Sequence, residues 1–511
     1  MNSPFLDAMA RVPDLLAAHL LLAASALALG LVISLPLAIW SARRPLVARA
    51  ALGFASLVQT IPSLALLALF YPLLLSLSAL VGGGIPALGF LPSLLALTLY
   101  ALLPILRNGV TGLTSIDPAV IEAADGVGMT AWQKLLLVEA PLVSPVLMAG
   151  IRTAAVWTIG AATLSTTVGQ PSLGDMIFAG LQTQNWALVL AGCLTAATLA
   201  LVVDALLGVV EHAIAHRKRV RAFVALGVLG VSILAALTPM LPTGQKSVVV
   251  GAKGFSEQYI LARLIGHRLE RAGFRVTYRE GLGSAVVFGA LVSGDIDVYV
   301  DYSGTIWTNE MKRTDVPPRA AIVQGIAAWG QKAHGINMLG ALGFENAYAF
   351  AMRGEQAKKL GISTLDDLVA QAPALTFGSD LEFLERPEWA AVKRAYPLSF
   401  KSAQAYNPTF MYRAIDSGQA DVISAFSSDG RIAAQKLTVL ADPKGAIPGY
   451  DAIILVDPAH AKDDRFLNAV RPLVGHIPVA LMREANYMVD RDTDKASPEE
   501  AAKWLEARMA R

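Results

Sequence analysis

Six long apolar stretches occupy the first 245 residues: Leu15–Trp40, Ala50–Ala79, Phe90–Leu106, Pro141–Thr163, Trp186–Val210 and Phe223–Leu241. A helix needs about 20 mostly apolar residues to cross the hydrocarbon core of a bilayer, so each reads as a membrane span. The second contains Pro62 and Pro72, which blur its limits. The first is long, lacks a basic leader and is followed by more spans, so it reads as a membrane helix and not as a cleaved signal. From residue 246 the pattern changes. Short β-branched runs at Ser247–Gly251, Arg275–Arg279, Ile296–Val300, Leu375–Phe377, Val422–Ala425 and Ala452–Val456 read as strands. Helical periodicity at Ser256–Ala272 and Leu282–Val292 separates the first of them. Strands alternating with helices predict a mostly parallel α/β sheet, and about 266 residues are enough for two lobes with a cleft between them.

Charge follows the same division. Only 20 of the first 245 residues are charged, against 62 of the remaining 266. The chain is expected to divide into residues 1–222 (five spans and their loops), 223–245 (a last span and linker) and 246–511 (a globular domain). The boundary falls near Thr243-Gly244-Gln245-Lys246. Arg43, Arg44 and Arg49 follow the first span, Arg107 and Lys134 lie between the third and fourth, and Arg217, Lys218, Arg219 and Arg221 lie between the fifth and sixth. Basic loops face the cytoplasm, so these three share that side. The Gly82-Gly83-Gly84 and Gln170–Asn185 loops carry no Lys or Arg and are expected outside. Six spans then return the globular domain to the outside, whereas an odd count would leave it in the cytoplasm.

The 511 residues carry a net charge of +2, which gives no reason to expect a nucleic-acid partner. A single cysteine, Cys193, excludes an internal disulfide framework and a cysteine-based metal cluster. The seven histidines show no metal-ligand spacing, and neither a phosphate-binding Gly-x-x-x-x-Gly-Lys-Ser/Thr loop nor a Gly-x-Ser-x-Gly elbow occurs. No cofactor and no catalysis on a substrate are expected. Arg152 and Asp204 fall within or at the edge of spans, as part of a transport path or as interface residues.

Between the third and fourth spans the chain reads Asp117-Pro118-Ala119-Val120-Ile121-Glu122-Ala123-Ala124-Asp125-Gly126-Val127-Gly128. Asp117 is expected to cap a short helix with Pro118 at its first position, and Gly126 or Gly128 to end it. Trp132–Val138 continues as a second amphipathic stretch up to Pro141. Glu122, Ala123, Ala124, Gly128 and Pro141 together resemble the signature loop of ABC importer permeases. The resemblance implies a coupling helix that docks a separate ATPase subunit, and a pore formed by a homodimer of this domain.

In the globular half, candidate motifs stand at strand ends: Gly251–Gln258, Gly281–Ser284, Asp297–Thr305, Phe344–Tyr348, Phe383–Pro387, Phe426–Arg431 and Ile447–Tyr450. Ligands of open α/β sheets sit at such ends. In order and spacing, the set resembles the substrate-binding proteins of osmoprotectant ABC importers, which take up glycine betaine, carnitine and choline. The resemblance covers residues 246–511 and implies a two-lobe α/β periplasmic-binding-protein fold of type II behind an all-α six-helix permease. It also implies an aromatic box for a quaternary ammonium group, walled by Tyr302, Tyr348 and Tyr450, with Phe426 where a further tyrosine is expected. A trimethylammonium group donates no hydrogen bond, so aromatic faces suit it. Lys253, Arg386 and Thr305 match carboxylate-holding positions, a role suited to a point charge and a planar fork. Ser284 is expected to add a hydroxyl. Glu345 and Asn346 are expected to brace the hinge. Each tyrosine alone would also suit a core or rim position.

The resulting expectation is a fused permease and solute-binding subunit for a quaternary-ammonium zwitterion such as glycine betaine. Ergothioneine, a trimethylammonium betaine with an imidazole-thione, is an alternative ligand. A membrane-anchored receptor that signals without transport is the other alternative.

Overall fold

The computed structural model describes residues 4–9, 11–82, 85–182, 185–216, 218–237, 247–491 and 493–509. The expected boundary at 243–246, the end of the last expected span at 238–241, and Gly83, Gly84 and Arg217 of the loops lie outside them. The chain divides into two compact units, Met1–Phe178 with Trp186–Thr243 and Ala179–Asn185 with Gly244–Arg511.

The first unit is helical. Among the described residues, five helices are long and apolar enough to cross a membrane, and a bent pair makes a sixth. The expected second span is that pair, Pro45–Thr60 and Ser63–Leu80. Its members meet at 103°. The break falls at Pro62, which lacks an N–H and forces Ile61 into an extended conformation (φ −74°, ψ 126°). The Tyr100 hydroxyl donates to the carbonyl oxygen of Ile61 that the break leaves over. Pro72 sits inside the second helix of the pair without ending it.

Val12–Arg43 packs on Phe90–Thr114, which packs on Ala140–Ala162. Small residues permit the approach. A Cβ on Gly30 would lie 3.0 Å from that of Ala101, and one on Gly109 2.9 Å from that of Ala38. The region from Gln170 to Asn185 is not simply a loop as expected: it contains the helix Gly174–Gln182. Arg152 and Asp204 form a two-pronged ion pair, with both contacts at 2.9 Å, and Arg152 also reaches Glu211 at 2.7 Å. The charge on these helices is therefore paired, as a low-dielectric surrounding requires.

Among the described residues the second unit contains ten strands: β1 (Ser247–Lys253), β2 (Arg275–Leu282), β3 (Val298–Tyr302), β4 (Asn337–Glu345), β5 (Tyr348–Arg353), β6 (Thr376–Asp380), β7 (Ser402–Tyr406), β8 (Val422–Phe426), β9 (Leu437–Val439) and β10 (Asp451–Val456). They form two five-stranded sheets, ordered β2-β1-β3-β10-β4 and β7-β6-β8-β5-β9. Each sheet is the centre of one lobe.

The expectation of mostly parallel sheets needs correction. β1 pairs in parallel with β2 and β3, and β6 with β7 and β8, but β10 runs antiparallel to β3 and β4, and β5 to β8 and β9. The two reversed strands, β5 and β10, are those by which the chain enters a lobe from the other. They come in at the carboxyl ends of the parallel strands and so run against them. Only Asn346 and Ala347 separate β4 from β5. The lobe of β1 buries a large cluster that includes Tyr259, Leu264, Val298, Ile454 and Phe466. The other lobe buries clusters around Phe350, Phe377 and Trp389 and around Met411, Tyr412 and Ile423.

Gly174 opens its helix where a Cβ would lie 1.8 Å from the backbone oxygen of Thr163. Gly174→Ala should therefore destabilise the helical unit by about 1–3 kcal/mol or more. Thermal unfolding of the purified chain in detergent measures this, and an unchanged Tm would contradict the packing described.

Candidate ligand-binding site

The strand ends of the two lobes face each other across a cleft. β1 runs into Lys253-Gly254-Phe255, β2 into Gly281-Leu282-Gly283-Ser284 and β3 into Tyr302, with Thr305 one turn later. β4 passes through Asn346 to Tyr348 at the start of β5. β6 ends at Asp380 and continues into Leu381 and Glu382, β8 ends at Phe426, and Tyr450 precedes β10. Arg386 precedes Pro387, the first residue of the helix Pro387–Ala395. That proline keeps Arg386 extended (φ −81°, ψ 152°), outside the helix it caps.

All eight residues singled out from the sequence, Lys253, Ser284, Tyr302, Thr305, Tyr348, Arg386, Phe426 and Tyr450, line one cavity of about 280 Å3. Its aromatic wall is a continuous arc. Tyr450 meets Tyr348 edge to face with centroids 5.9 Å apart, and Tyr348 lies 5.4 Å from Phe426. Phe426 is parallel to Phe255 at 6.2 Å, and Phe255 stacks on Tyr302 at 6.2 Å. Phe255 was not picked out from the sequence. Its position directly after Lys253-Gly254, at the mouth of a strand, is the signal that would have found it. Gly304 makes room for the arc, because a Cβ there would lie 2.6 Å from the Tyr450 ring.

Two of the tyrosine hydroxyls are turned into the protein. Tyr302 donates to Glu257 at 2.6 Å, and Tyr450 donates to Glu388. Burial pushes the Tyr302, Tyr348 and Tyr450 hydroxyls well above the usual tyrosine range, and neighbouring carboxylates add to this, so all three stay neutral. Glu257 is fully enclosed. Burial raises its pKa, while the donors Tyr302, Asn486 and Asn346 counter part of the rise. Asn346 braces the crossover as expected, donating to Glu257 at 3.0 Å, but it also lines the cavity, which was not expected. Glu345 is not among the lining residues.

The cationic side carries less free charge than the sequence implied. Lys253 is 4% exposed and its ammonium lies 2.5 Å from Asp301, so its charge is already balanced. Arg386, 7% exposed, has two carboxylates. Its Nη1 donates to Glu382 Oε2 at 3.1 Å, and its Nη2 and Nε donate to Glu388 at 3.2 and 3.3 Å. Nη2 also donates to Thr305 Oγ1 at 3.3 Å across the cleft. Burial alone would push the Glu388 carboxyl up, but Arg386 beside it and the Tyr450 hydroxyl hold it below the usual range. Asp380, Glu382 and Asn407 also line the cavity and were missed. Asp380 ends the strand Thr376–Asp380 and Leu381-Glu382 directly follow it, a placement that the sequence could have flagged.

The second candidate region lies in the helical unit. Asp117 caps the helix Pro118–Gly126 by accepting from Ala119 N at 2.9 Å, as expected. Gly128 takes φ +80°, the left-handed turn that glycine permits. Thr130 and Gln133 form a reciprocal cap on the next turn, Ala131–Lys134. Lys134 ties the two pieces together by an ion pair to Asp125 at 2.6 Å. Ala124 is buried, Glu122 and Ala123 are exposed, and Val127 and Trp132 are 74% and 68% exposed. The segment is thus a pinned knuckle with apolar side chains on its surface.

A membrane-type helical unit followed by a two-lobe α/β unit with an aromatic, charged cleft defines a permease joined to a solute-binding domain. Residues 34–216 match the family described as the binding-protein-dependent transport system inner membrane component. Residues 246–507 match the substrate binding domain of the ABC-type glycine betaine transport system. The chain is 30% identical over 463 residues to the ergothioneine transport permease/ergothioneine binding protein EgtU of Helicobacter pylori, covering 87% of this chain and 81% of the relative. It is 39% identical over 194 residues to the glycine betaine/carnitine/choline transport system permease protein OpuCB of Bacillus subtilis, covering 38% of this chain and 84% of the relative. Among solved structures, that of a glycine betaine/carnitine/choline ABC transporter aligns with TM-score 0.46 and 25% identity, over 52% of this chain and 99% of the other. The chain belongs to the family of ABC importer proteins that join a permease to an osmoprotectant-type substrate-binding domain. It is a membrane protein, and its relatives are transport proteins rather than enzymes.

Glu388→Ala should cost about 3–5 kcal/mol, because it leaves the enclosed Arg386 guanidinium without its buried partner. Thermal unfolding of the full chain tests this. The folded-state pKa of Glu388 lies below its ordinary 4.5, so its stabilising contribution is present above about pH 4.5 and is lost as pH falls below that value. The difference in Tm between the parent chain and Glu388→Ala should shrink in that acidic window.

Proposed function

We propose that the chain captures a trimethylammonium zwitterion in the cleft of residues 246–511 and passes it to a pore built from two copies of the permease unit. The observation that carries this reading is the arc Tyr450–Tyr348–Phe426–Phe255–Tyr302 beside the enclosed Arg386. A cation that cannot donate hydrogen bonds is favoured by ring faces, and Phe426 keeps such a face although it lacks a hydroxyl. The carboxylate end lies toward Arg386 and Thr305, with Ser284 nearby and Lys253 enclosed against Asp301. The domain division at 222 and 245, the extracytoplasmic placement of the binding domain and the lipid-facing helices belong to the same reading.

A separate ATPase docks on Glu122, Ala123, Ala124 and Gly128. The exposed Val127 and Trp132 support this, because apolar side chains held on a pinned turn suit a protein partner. The receptor alternative does not need this knuckle. Alanine replacement across Glu122–Gly128 should abolish ATP-driven uptake while leaving ligand binding intact; unchanged uptake contradicts the docking role.

Two ligands fit the class. Glycine betaine follows from the substrate-binding family that residues 246–507 match. Ergothioneine is favoured by the Helicobacter pylori relative, whose likeness runs across both halves of the chain. Calorimetry of the full chain in detergent with glycine betaine, ergothioneine and choline separates them. At least one zwitterion should bind, and Tyr348→Leu, which keeps bulk but removes the ring, should weaken it about tenfold or more. Gly304→Ala should weaken it too, by displacing the Tyr450 ring. Failure of all three to bind contradicts the ligand class.

A further inference from the structure

Arg386 is the cation on which the carboxylate end of the proposed ligand depends, yet the protein already supplies it with two carboxylates. They differ in kind. Glu388 is fully enclosed, with 0% side-chain exposure. Besides Arg386, it accepts from Tyr450 and from Thr308 at 3.0 Å. It is a fixed counter-ion. Glu382 has 48% side-chain exposure and lines the cavity. One of its oxygens, Oε2, receives two donors: Arg386 Nη1 at 3.1 Å from its own lobe and Ser284 Oγ at 3.1 Å from the facing lobe. A guanidinium donor and a hydroxyl converging on one carboxylate oxygen across the cleft make the arrangement that a ligand carboxylate would need.

We propose that Glu382 is a built-in competitor, a side-chain carboxylate that occupies the ligand's carboxylate position and must swing away when a zwitterion binds. This rests on the zwitterion reading above. The reason is charge. With Glu388 fixed, Arg386 is already neutralised, and Glu382 brings the group to a net negative charge. A ligand carboxylate added to that group would meet like charge at short range, so it has to replace Glu382 and cannot simply join it. Asp380 strengthens the constraint. It lines the same cavity as a further carboxylate; burial raises its pKa and the Glu382 carboxylate adds to the rise, while the backbone N–H groups of Glu382 and Phe383 and the Arg386 guanidinium counter part of it. Glu382 has the freedom to leave, because it is half exposed and sits just after the exposed Leu381, between a strand end and a short turn. A cation without a carboxylate faces no such competition and benefits from the negative charge. Glu382 therefore sets the balance between zwitterions and simple quaternary ammonium cations.

The test is calorimetry on the full chain in detergent, with glycine betaine, ergothioneine and choline as probes, for the parent and for Glu382→Gln and Glu382→Ala. Glu382→Gln keeps the shape and removes the charge; Glu382→Ala removes the competitor. Both should tighten whichever zwitterion binds by about fivefold or more, and should leave choline unchanged or weaker. Unchanged or weakened zwitterion binding with a parent-like Tm overturns the proposal, since Glu382 would then be neutral or part of the receptor. Equal tightening of zwitterions and choline also overturns it, because the effect would then be on lobe closure and not on the carboxylate. If the parent binds none of the three probes, the zwitterion reading itself falls and this proposal falls with it.

Discussion

A guanidinium taken out of water must be neutralised where it lies, and the cleft is arranged around that requirement at Arg386. Glu388 supplies the buried counter-charge. Because Glu388 also accepts from Tyr450 and Thr308, and Arg386 donates to Thr305, neutralising the charge joins the lobes. Tyr450 is held by this bond on one side and by the space above Gly304 on the other. Its ring is then fixed at one end of the aromatic arc. The anionic and aromatic parts of the site are therefore not independent: the ring that faces a cation is positioned by the carboxylate that neutralises Arg386.

The helical unit meets a similar constraint with different means. Its helices approach through Gly30 and Gly109, where no side chain intervenes. The charged group of Arg152 with Asp204 and Glu211 is internally paired. Where the backbone is broken at Pro62, the spare carbonyl of Ile61 finds the Tyr100 hydroxyl. In the last two cases a group that a low-dielectric surrounding would penalise is given a partner within the chain.

Much of this was readable in the sequence because it depends on local signals. Hydropathy located five unbroken spans to within several residues at most ends, and Asp117 with Pro118 marked the helix that they start. Strands such as Val422–Phe426 showed as β-branched runs. What was not readable depends on long-range geometry. β4 contains Gly340 and Gly343 at φ +140° and +114°, which break the alternation that would have marked it as a strand. The direction of β5 and β10 is set by crossing between lobes, which no local pattern encodes. The eight site residues meet in one cavity, but the sequence could not show that Lys253 is engaged by Asp301, 48 positions away, or that Glu382 reaches Ser284, 98 positions away. Motifs placed the side chains. Their partners, and so the free charge of the site, came only from the fold.

The proposed function requires a quaternary ammonium group against the aromatic arc with its carboxylate directed to Arg386. The most direct measurement is an experimental structure of the full chain in a lipid nanodisc with the tightest-binding zwitterion. The account predicts density for the trimethylammonium head among Tyr302, Tyr348, Phe426 and Tyr450, and for the carboxylate within hydrogen-bond distance of Arg386. Density for the head away from those rings, or in a different cavity, would contradict it.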